Sequence, residues 1–267
     1  MGEGQQKHRY FIELAYKGTN FHGWQIQPNA ISVQEVLNKA LSTVLREPIE
    51  TVGCGRTDTG VHATNFFAHF DTATEIVIGE SEPKSELTIN ESRLVKAVNA
   101  LIGYEIAIKR FIEVKPDGHA RFDAISRSYE YHIVFEKNPF KRDFSHHITN
   151  KPDLNAMNEA AKVIMTYTDF SCFSKSNTQT FTNNCKITRA EWVELPDGLV
   201  FHITADRFLR NMVRAIVGTL LEVGKGTLSI EGVRKVIESK SRSNPGESVP
   251  AAGLFLTEIT YPPGTFS

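Results

Sequence analysis

The sequence predicts an α+β protein made of two halves that share the order β-α-β-β-α-β. Three observations predict it. Short strand-like runs alternate with a few helices whose apolar residues recur every three to four positions. A turn sequence, Lys115-Pro116-Asp117-Gly118, divides the chain near its middle. The 267 residues, 40% of them hydrophobic, are enough for one large core or two smaller ones.

The first half opens on a strand over Arg9–Tyr16, followed by the turn Lys17-Gly18-Thr19-Asn20. Ser32-Val33-Gln34-Glu35 is a capping box, in which the serine hydroxyl accepts the N–H of the residue three further on. The helix it opens carries Val33, Val36, Leu37, Ala40, Leu41, Val44 and Leu45 on one face and stops near Glu47-Pro48. Strands over Ile49–Val52 and Asn65–Phe70 follow. The stretch Thr72–Glu91 is acidic and non-periodic and reads as an exposed connection. Asn90 caps a second helix, with Leu94, Val95, Val98 and Leu101 inward and Gly103 ending it. Ile106–Val114 is the last strand of this half.

After the turn the order nearly repeats. Ser128–Phe135 alternates as a strand, with Tyr129, Tyr131, Ile133 and Phe135 on one face. Asp153–Thr166 is a helix, and Thr188–Leu195 with Leu199–Ala205 is a hairpin about Pro196-Asp197-Gly198. Arg207–Val223 reads as a long helix ended by Gly224 and Gly226, Ile230–Glu238 as another, and Leu254–Tyr261 as a closing strand. The expectation is two pseudo-repeated ferredoxin-like (RNP-like) halves, 1–115 and 116–267, with antiparallel or mixed sheets around a central catalytic cleft.

Composition bounds the function. No apolar run approaches the roughly 18 residues that span a bilayer, and Met1–Tyr10 lacks the apolar centre of a signal peptide, so a cytoplasmic protein is expected. Cys54, Cys172 and Cys185 are odd in number and widely spaced, which fits neither a disulfide framework nor a metal site. His146 and His147 are adjacent and point apart on most backbones, so no metal is expected. The net charge of −1 neither demands nor excludes nucleic acid; such a partner must be held by a local basic patch.

The stretch with most chemistry is Gly53-Cys54-Gly55-Arg56-Thr57-Asp58-Thr59-Gly60-Val61-His62. It sets one carboxylate, Asp58, in a glycine-rich loop between strands, with Arg56 before it. Two readings compete: a surface turn with Asp58 as a local cap, or a site that needs one oriented carboxylate. If catalytic, the tripeptide Asp58-Thr59-Gly60 raises an aspartic protease. That chemistry needs two carboxylates sharing a proton, hence a symmetric dimer here, and Arg56 beside Asp58 opposes the shared proton. An RNA-modifying enzyme with one carboxylate nucleophile fits better. A plain RNA-binding module leaves Asp58 unexplained, because an acid in a phosphate groove costs affinity.

On the helix expected over Arg207–Val223, Arg207, Arg210 and Arg214 fall within an arc of about 60°. No acidic residue interleaves until Glu222, which tilts the stripe from a solvated face toward phosphate binding. His119-Ala120-Arg121, Arg127 and Lys141-Arg142 add basic residues. Phe21-His22-Gly23-Trp24 places aromatics in a loop, where bases could stack, although a core role for Trp24 is the simpler reading. From pattern alone Tyr129 is a core tyrosine.

These motifs together resemble the tRNA pseudouridine synthase family, of the type that acts on the anticodon stem-loop. The resemblance runs from Arg9 to Tyr261. It includes Tyr16-Lys17-Gly18-Thr19-Asn20-Phe21-His22-Gly23-Trp24, Gly55-Arg56-Thr57-Asp58-Thr59-Gly60-Val61-His62-Ala63 and His119-Ala120-Arg121-Phe122-Asp123-Ala124 with Arg127-Ser128-Tyr129. Asp169-Phe170-Ser171, Phe208-Leu209-Arg210-Asn211-Met212-Val213-Arg214 with Val217-Gly218, and Gly253-Leu254-Phe255-Leu256 complete it. Lys17, Gly118 and Gly103-Tyr104-Glu105-Ile106 depart from the family's usual pattern. The resemblance implies isomerisation of uridine to pseudouridine in tRNA, at positions 38, 39 and 40. It implies Asp58 as nucleophile, Tyr129 beside the target base and in proton transfer, Arg214 paired with the aspartate, Leu254 lining the base pocket and Arg56 holding the flipped nucleotide. Arg121, Arg207 and Arg210 are then substrate-binding candidates. The resemblance also implies no cofactor or metal, and a homodimer with tRNA bound across both subunits.

Overall fold

The computed structural model describes residues 7–79, 88–174, 182–241 and 245–266. It is a mixed α+β protein whose strands pair mostly antiparallel. The chain divides into two compact units, Met1–Ile125 with Glu258–Ser267, and Ser126–Thr257.

The first unit contains β1 (His8–Tyr16), α1 (Val33–Leu45), β2 (Val52–Gly53), β3 (His62–Thr72), β4 (Glu75–Val77), β5 (Thr88–Asn90), α2 (Glu91–Leu101) and β6 (Ile106–Glu113). β1 lies between β3 and β6, antiparallel to both, with Tyr10 opposite Phe70 on one side and Glu113 on the other. One face of β1 and β3 buries Tyr10, Ile12, Leu14, Phe66 and Phe70, together with Leu37 and Leu41 of α1 and Leu94 and Val98 of α2. The other face is buried too. Phe11 and Phe67 each meet Tyr261 and Phe266, which the chain returns from its C-terminal end. Three consecutive residues, Tyr10, Phe11 and Ile12, are therefore fully enclosed.

Ser32 caps α1 as expected, its hydroxyl accepting the Glu35 N–H at 3.2 Å. Such a cap is worth about 1 kcal/mol. The strand expected over Ile49–Val52 shrinks to Val52–Gly53. The reason lies on α1: Asn38 Oδ1 accepts both the N–H and the hydroxyl of Thr51, and Gln34 Nε2 donates to the Thr51 carbonyl. Side chains thus take the backbone groups a strand partner would need. α2 ends one residue earlier than expected. Its last residue, Leu101, expected inward, is 53% exposed; the buried residue is Ile102 just after the helix, at 7% exposure, and the turn there uses no left-handed glycine. Within the supposed connection Thr72–Glu91, β4 and β5 pair in parallel; its residues 80–87 lie outside the described ones.

The second unit contains β7 (Ser126–Val134), β8 (His146–His147), α3 (Leu154–Ile164), β9 (Ile187–Leu195), β10 (Gly198–Ala205), α4 (Met212–Gly224) and α5 (Ile230–Glu238). The closing strand β11 (Leu254–Thr260) starts in this unit and ends in the first. β9 and β10 form the expected hairpin, and β10 pairs β7, so Tyr131, Phe201 and Trp192 lie side by side and buried. Asp153 caps α3, and Asn158 on that helix bonds both backbone groups of Trp192, tying α3 to β9.

The long helix expected over Arg207–Val223 is the main correction. α4 begins only at Met212. Upstream of it, Asp206 Oδ1 accepts the N–H of Arg207 and of Lys186, holding that stretch on the end of β9. Asn211 then turns left-handed, with φ of 67°, and no helix continues through such a residue. Arg207 and Arg210 therefore precede the helix, and the arginine stripe of the sequence reading does not exist. Nor is α4 two-faced: Met212, Val213, Ala215, Ile216, Val217, Gly218, Thr219, Leu220, Leu221 and Val223 are all buried.

Candidate active site

The Asp58 loop is anchored at four places along ten residues. Cys54 N–H donates to the Phe67 carbonyl at 2.8 Å, continuing the β2–β3 pairing. The hydroxyls of Thr57 and Tyr16 bond at 2.9 Å in buried surroundings. Gly60 N–H donates to the Phe21 carbonyl, and His62 Nδ1 accepts the Gly18 N–H at 3.1 Å. The loop closes on itself through Val61 N–H to the Asp58 carbonyl at 3.1 Å, with Gly60 at φ of 80°.

What holds the loop is the turn after β1. Trp24 N–H donates to the Thr57 carbonyl. Gly23, at φ of 83°, lies so close that a β-carbon there would meet that carbonyl oxygen at 2.3 Å. Gly18 packs the other end, where a β-carbon would lie 2.0 Å from the Val61 oxygen. Trp24 itself is a core residue, 1% exposed and stacked on Phe66 at 4.2 Å, so the aromatics of this turn serve packing. Between the buried anchors Thr57 and Val61, Asp58 is half-buried and Thr59 exposed, while Arg56 points outward as an exposed side chain. A carboxylate on such a frame is pre-positioned, with little left to order during reaction.

Arg121, also in this unit, is exposed on a tightly fastened turn. His119 Nδ1 accepts the N–H of Arg121 and of Phe122, and its ring lies 4.2 Å from that of Phe122. Beneath it, His69 Nδ1 accepts the Ala120 N–H, and the Tyr261 hydroxyl donates to the Ala120 carbonyl. Burial, with the neighbouring His119 and Arg9 charges, holds His69 down at about 4. Sequence reasoning listed His119 only as a basic neighbour and passed over His69, which the apolar run of β3 hides.

The remaining candidates belong to the second unit. Tyr129 on β7 is half-buried and meets Phe208 edge-on at 5.2 Å, so it is only partly the core tyrosine its pattern suggests. Arg127 Nη1 donates to the Asp206 carbonyl at 2.9 Å. Arg207 is half-buried and Arg210 exposed, both ahead of α4, while Arg214 sits on its first turn. Arg214 Nε donates to the Val249 carbonyl at 2.7 Å, and Val249 N–H returns a bond to the Arg214 carbonyl. Leu254 is buried at the head of β11. The segment before it runs along α4 and is tied to the start of that helix by the bond between Asn211 and Ser248, two residues to which the sequence assigns no separate role. The signal was present: asparagine inside a supposed helix favours a cap or a left-handed residue instead.

Comparison with known proteins decides the family. A family model described as tRNA pseudouridine synthase matches residues 161–262. A tRNA pseudouridine synthase A of Parabacteroides distasonis is 49% identical over 97% of this chain and 98% of its own length. That of Bacteroides fragilis is 50% identical over 97% of this chain and 98% of its own, and that of Bacillus subtilis 38% identical over 93% and 97%. The chain belongs to the tRNA pseudouridine synthase A family. Membership makes it an isomerase and sets aside the aspartic-protease reading of Asp58-Thr59-Gly60. Among the described residues of this family member, no helix is long and apolar enough to cross a membrane, and no three His, Cys, Asp or Glu side chains group to hold a metal ion.

Proposed function

We propose that this chain isomerises uridine to pseudouridine in the anticodon stem-loop of tRNA, at positions 38, 39 and 40, with Asp58 as nucleophile. The observation that carries the reading is the loop anchored at four places, which holds one half-buried carboxylate between the buried residues Thr57 and Val61. An aspartate is ionised at neutral pH and ready to attack a nucleotide. Asp58 forms a transient bond to the nucleotide, the N1–C1′ bond of the target breaks, the freed uracil turns, C5 bonds to C1′, and the bond to Asp58 breaks again to free the carboxylate. The hydrogen on C5 leaves, N1 gains a proton, and no atoms are gained or lost overall. The isomerisation is redox-neutral and needs no cofactor or metal.

The target base is stacked in the anticodon arm and must be flipped out. Arg56 is assigned to the flipped nucleotide, Leu254 to the base pocket, and Arg121, Arg207 and Arg210 to the RNA backbone, as charged groups matched to phosphate. Tyr129 stacks near the base and moves its proton, and Arg214 pairs with the nucleophile. In this reading each half is a ferredoxin-like repeat. The N-terminal half, 1–115, supplies the aspartate loop, and the C-terminal half, 116–267, the basic and pocket residues. The working form is a cytoplasmic homodimer that shares one tRNA. The test is to incubate the protein with an unmodified tRNA transcript and map pseudouridine. Modification confined to positions 38, 39 and 40 is expected; modification elsewhere only, or none, rejects the assignment.

A further inference from the structure

Arg214 is aimed by a strap rather than by its helix alone. The segment Gly246–Val249 runs antiparallel along α4 and is tied to it at four levels. Gly246 N–H donates to the Thr219 hydroxyl at 3.1 Å, and the Glu247 carbonyl rests against the α-carbon of Gly218. Val249 exchanges bonds with Arg214, its N–H donating to the Arg214 carbonyl and its own carbonyl accepting Nε at 2.7 Å. Last, Asn211 Nδ2 donates to the Ser248 hydroxyl at 2.7 Å. The strap continues into Pro250, whose carbonyl accepts the Tyr131 hydroxyl at 2.9 Å, and so to Leu254.

We propose that the Asn211–Ser248 bond is a clasp that sets the Val249 carbonyl and through it the guanidinium of Arg214, making both residues positioning residues for the reaction. The inference rests on the catalytic assignment of Arg214 made above. The identity of residue 211 points to the clasp. The backbone there is left-handed, at φ of 67°, and glycine adopts that conformation at no steric cost. The turn into α4 asks only for a residue that tolerates φ above zero. Asparagine tolerates it less well than glycine but brings an amide, and the amide is spent on Ser248 rather than on capping the helix, whose first turn takes no side-chain bond from it. The Asn211 carbonyl accepts the Ala215 N–H as any residue here would. What glycine lacks is the clasp.

The experiment compares Asn211→Gly, which keeps the backbone conformation, with Ser248→Ala, which keeps Asn211. Each is expected to lower kcat about tenfold, as small misplacements of reacting groups do, with the Kd for tRNA within about twofold of the parent. The double variant is expected to lose no more than either single, because both remove one bond. In an Arg214→Lys background, where no Nε–H exists to meet Val249, Asn211→Gly is expected to have no further effect on kcat. Wild-type kcat in both singles overturns the proposal, as do losses that multiply in the double variant, or a full tenfold loss repeated in the Arg214→Lys background. Arg214→Lys with wild-type turnover instead removes the assignment of Arg214 on which the clasp depends. A slow Arg214→Lys with a fast Asn211→Gly rejects the clasp alone.

Discussion

Gly18→Ala presses on the Asp58 loop without touching any candidate catalytic side chain. The backbone at Gly18 is of an ordinary kind, so alanine itself is not strained there. The whole effect comes from contact. The new β-carbon would lie 2.0 Å from the Val61 oxygen and 2.6 Å from the Val61 carbonyl carbon, both main-chain atoms of the loop. To reach ordinary contact the loop must retreat by about 1 Å or more. Retreat also strains the Gly18 N–H bond to buried His62. Overpacking costs about 1–3 kcal/mol and a weakened buried hydrogen bond about 1–3 more, so a loss of about 2–6 kcal/mol is expected in the urea unfolding free energy. A nucleophile displaced by 1 Å loses on the order of a hundredfold in rate. Turnover is read as tritium released from C5 of labelled uridine in tRNA. The companion variant is Gly55→Ala in the same loop, where a β-carbon would meet nothing within 4 Å; its stability is expected within about 0.5 kcal/mol of the parent. A Gly18→Ala protein with parental stability and turnover, or one no worse than Gly55→Ala on both, refutes the claim that the turn after β1 holds the loop.

Three further outcomes are expected. Arg210→Ala should weaken tRNA binding and flatten the slope of log affinity against log salt by about one, since Arg210 lies exposed ahead of α4; an unchanged slope would show that it meets no phosphate. Acid should destabilise the fold through His69, which is held down at about 4 chiefly by burial, with help from the His119 charge. Above its ordinary value of 6.5 the ring is neutral in both states; as pH falls from 6.5 toward about 4 the unfolded chain takes a proton the folded one refuses. Up to about 3 kcal/mol is lost over that window, and His69→Gln should lose measurably less between pH 7 and pH 4.5; equal losses would free His69 of the effect. Turnover should persist in EDTA, and complete loss on chelation with recovery on adding one metal would reject the proposed chemistry.

Much of the fold was legible because its signals are local. Ser32 and Asn90 each cap the helix their position announces, and the β9–β10 hairpin turns at Pro196-Asp197. The failures are places where a distant group overrides the local pattern. Nothing near Ile49–Thr51 reveals that Gln34 and Asn38 on α1 take the strand's backbone bonds. The residues from Arg207 to Gly224 show helical periodicity throughout, yet Asp206 and the strap carrying Ser248 break the first turn. α4 carries few charges, and only with Arg207 and Arg210 on it does the pattern have two faces; without them it is a buried helix. The Asp58 loop stands out as a candidate site because three glycines and a lone carboxylate between strands make poor core. The grip of Gly18 and Gly23 on that loop was not, because it depends on a close approach across some forty residues of chain.

The central claim is that Asp58 is the nucleophile, and Asp58→Asn tests it most directly. The amide fills the same space in the anchored loop and removes only the attacking charge. Single-turnover tritium release from C5-labelled tRNA should fall by more than about a hundredfold, while tRNA binding and the urea midpoint stay near those of the parent. An Asp58→Asn protein that binds tRNA normally and keeps more than about a hundredth of the parental rate would contradict the account.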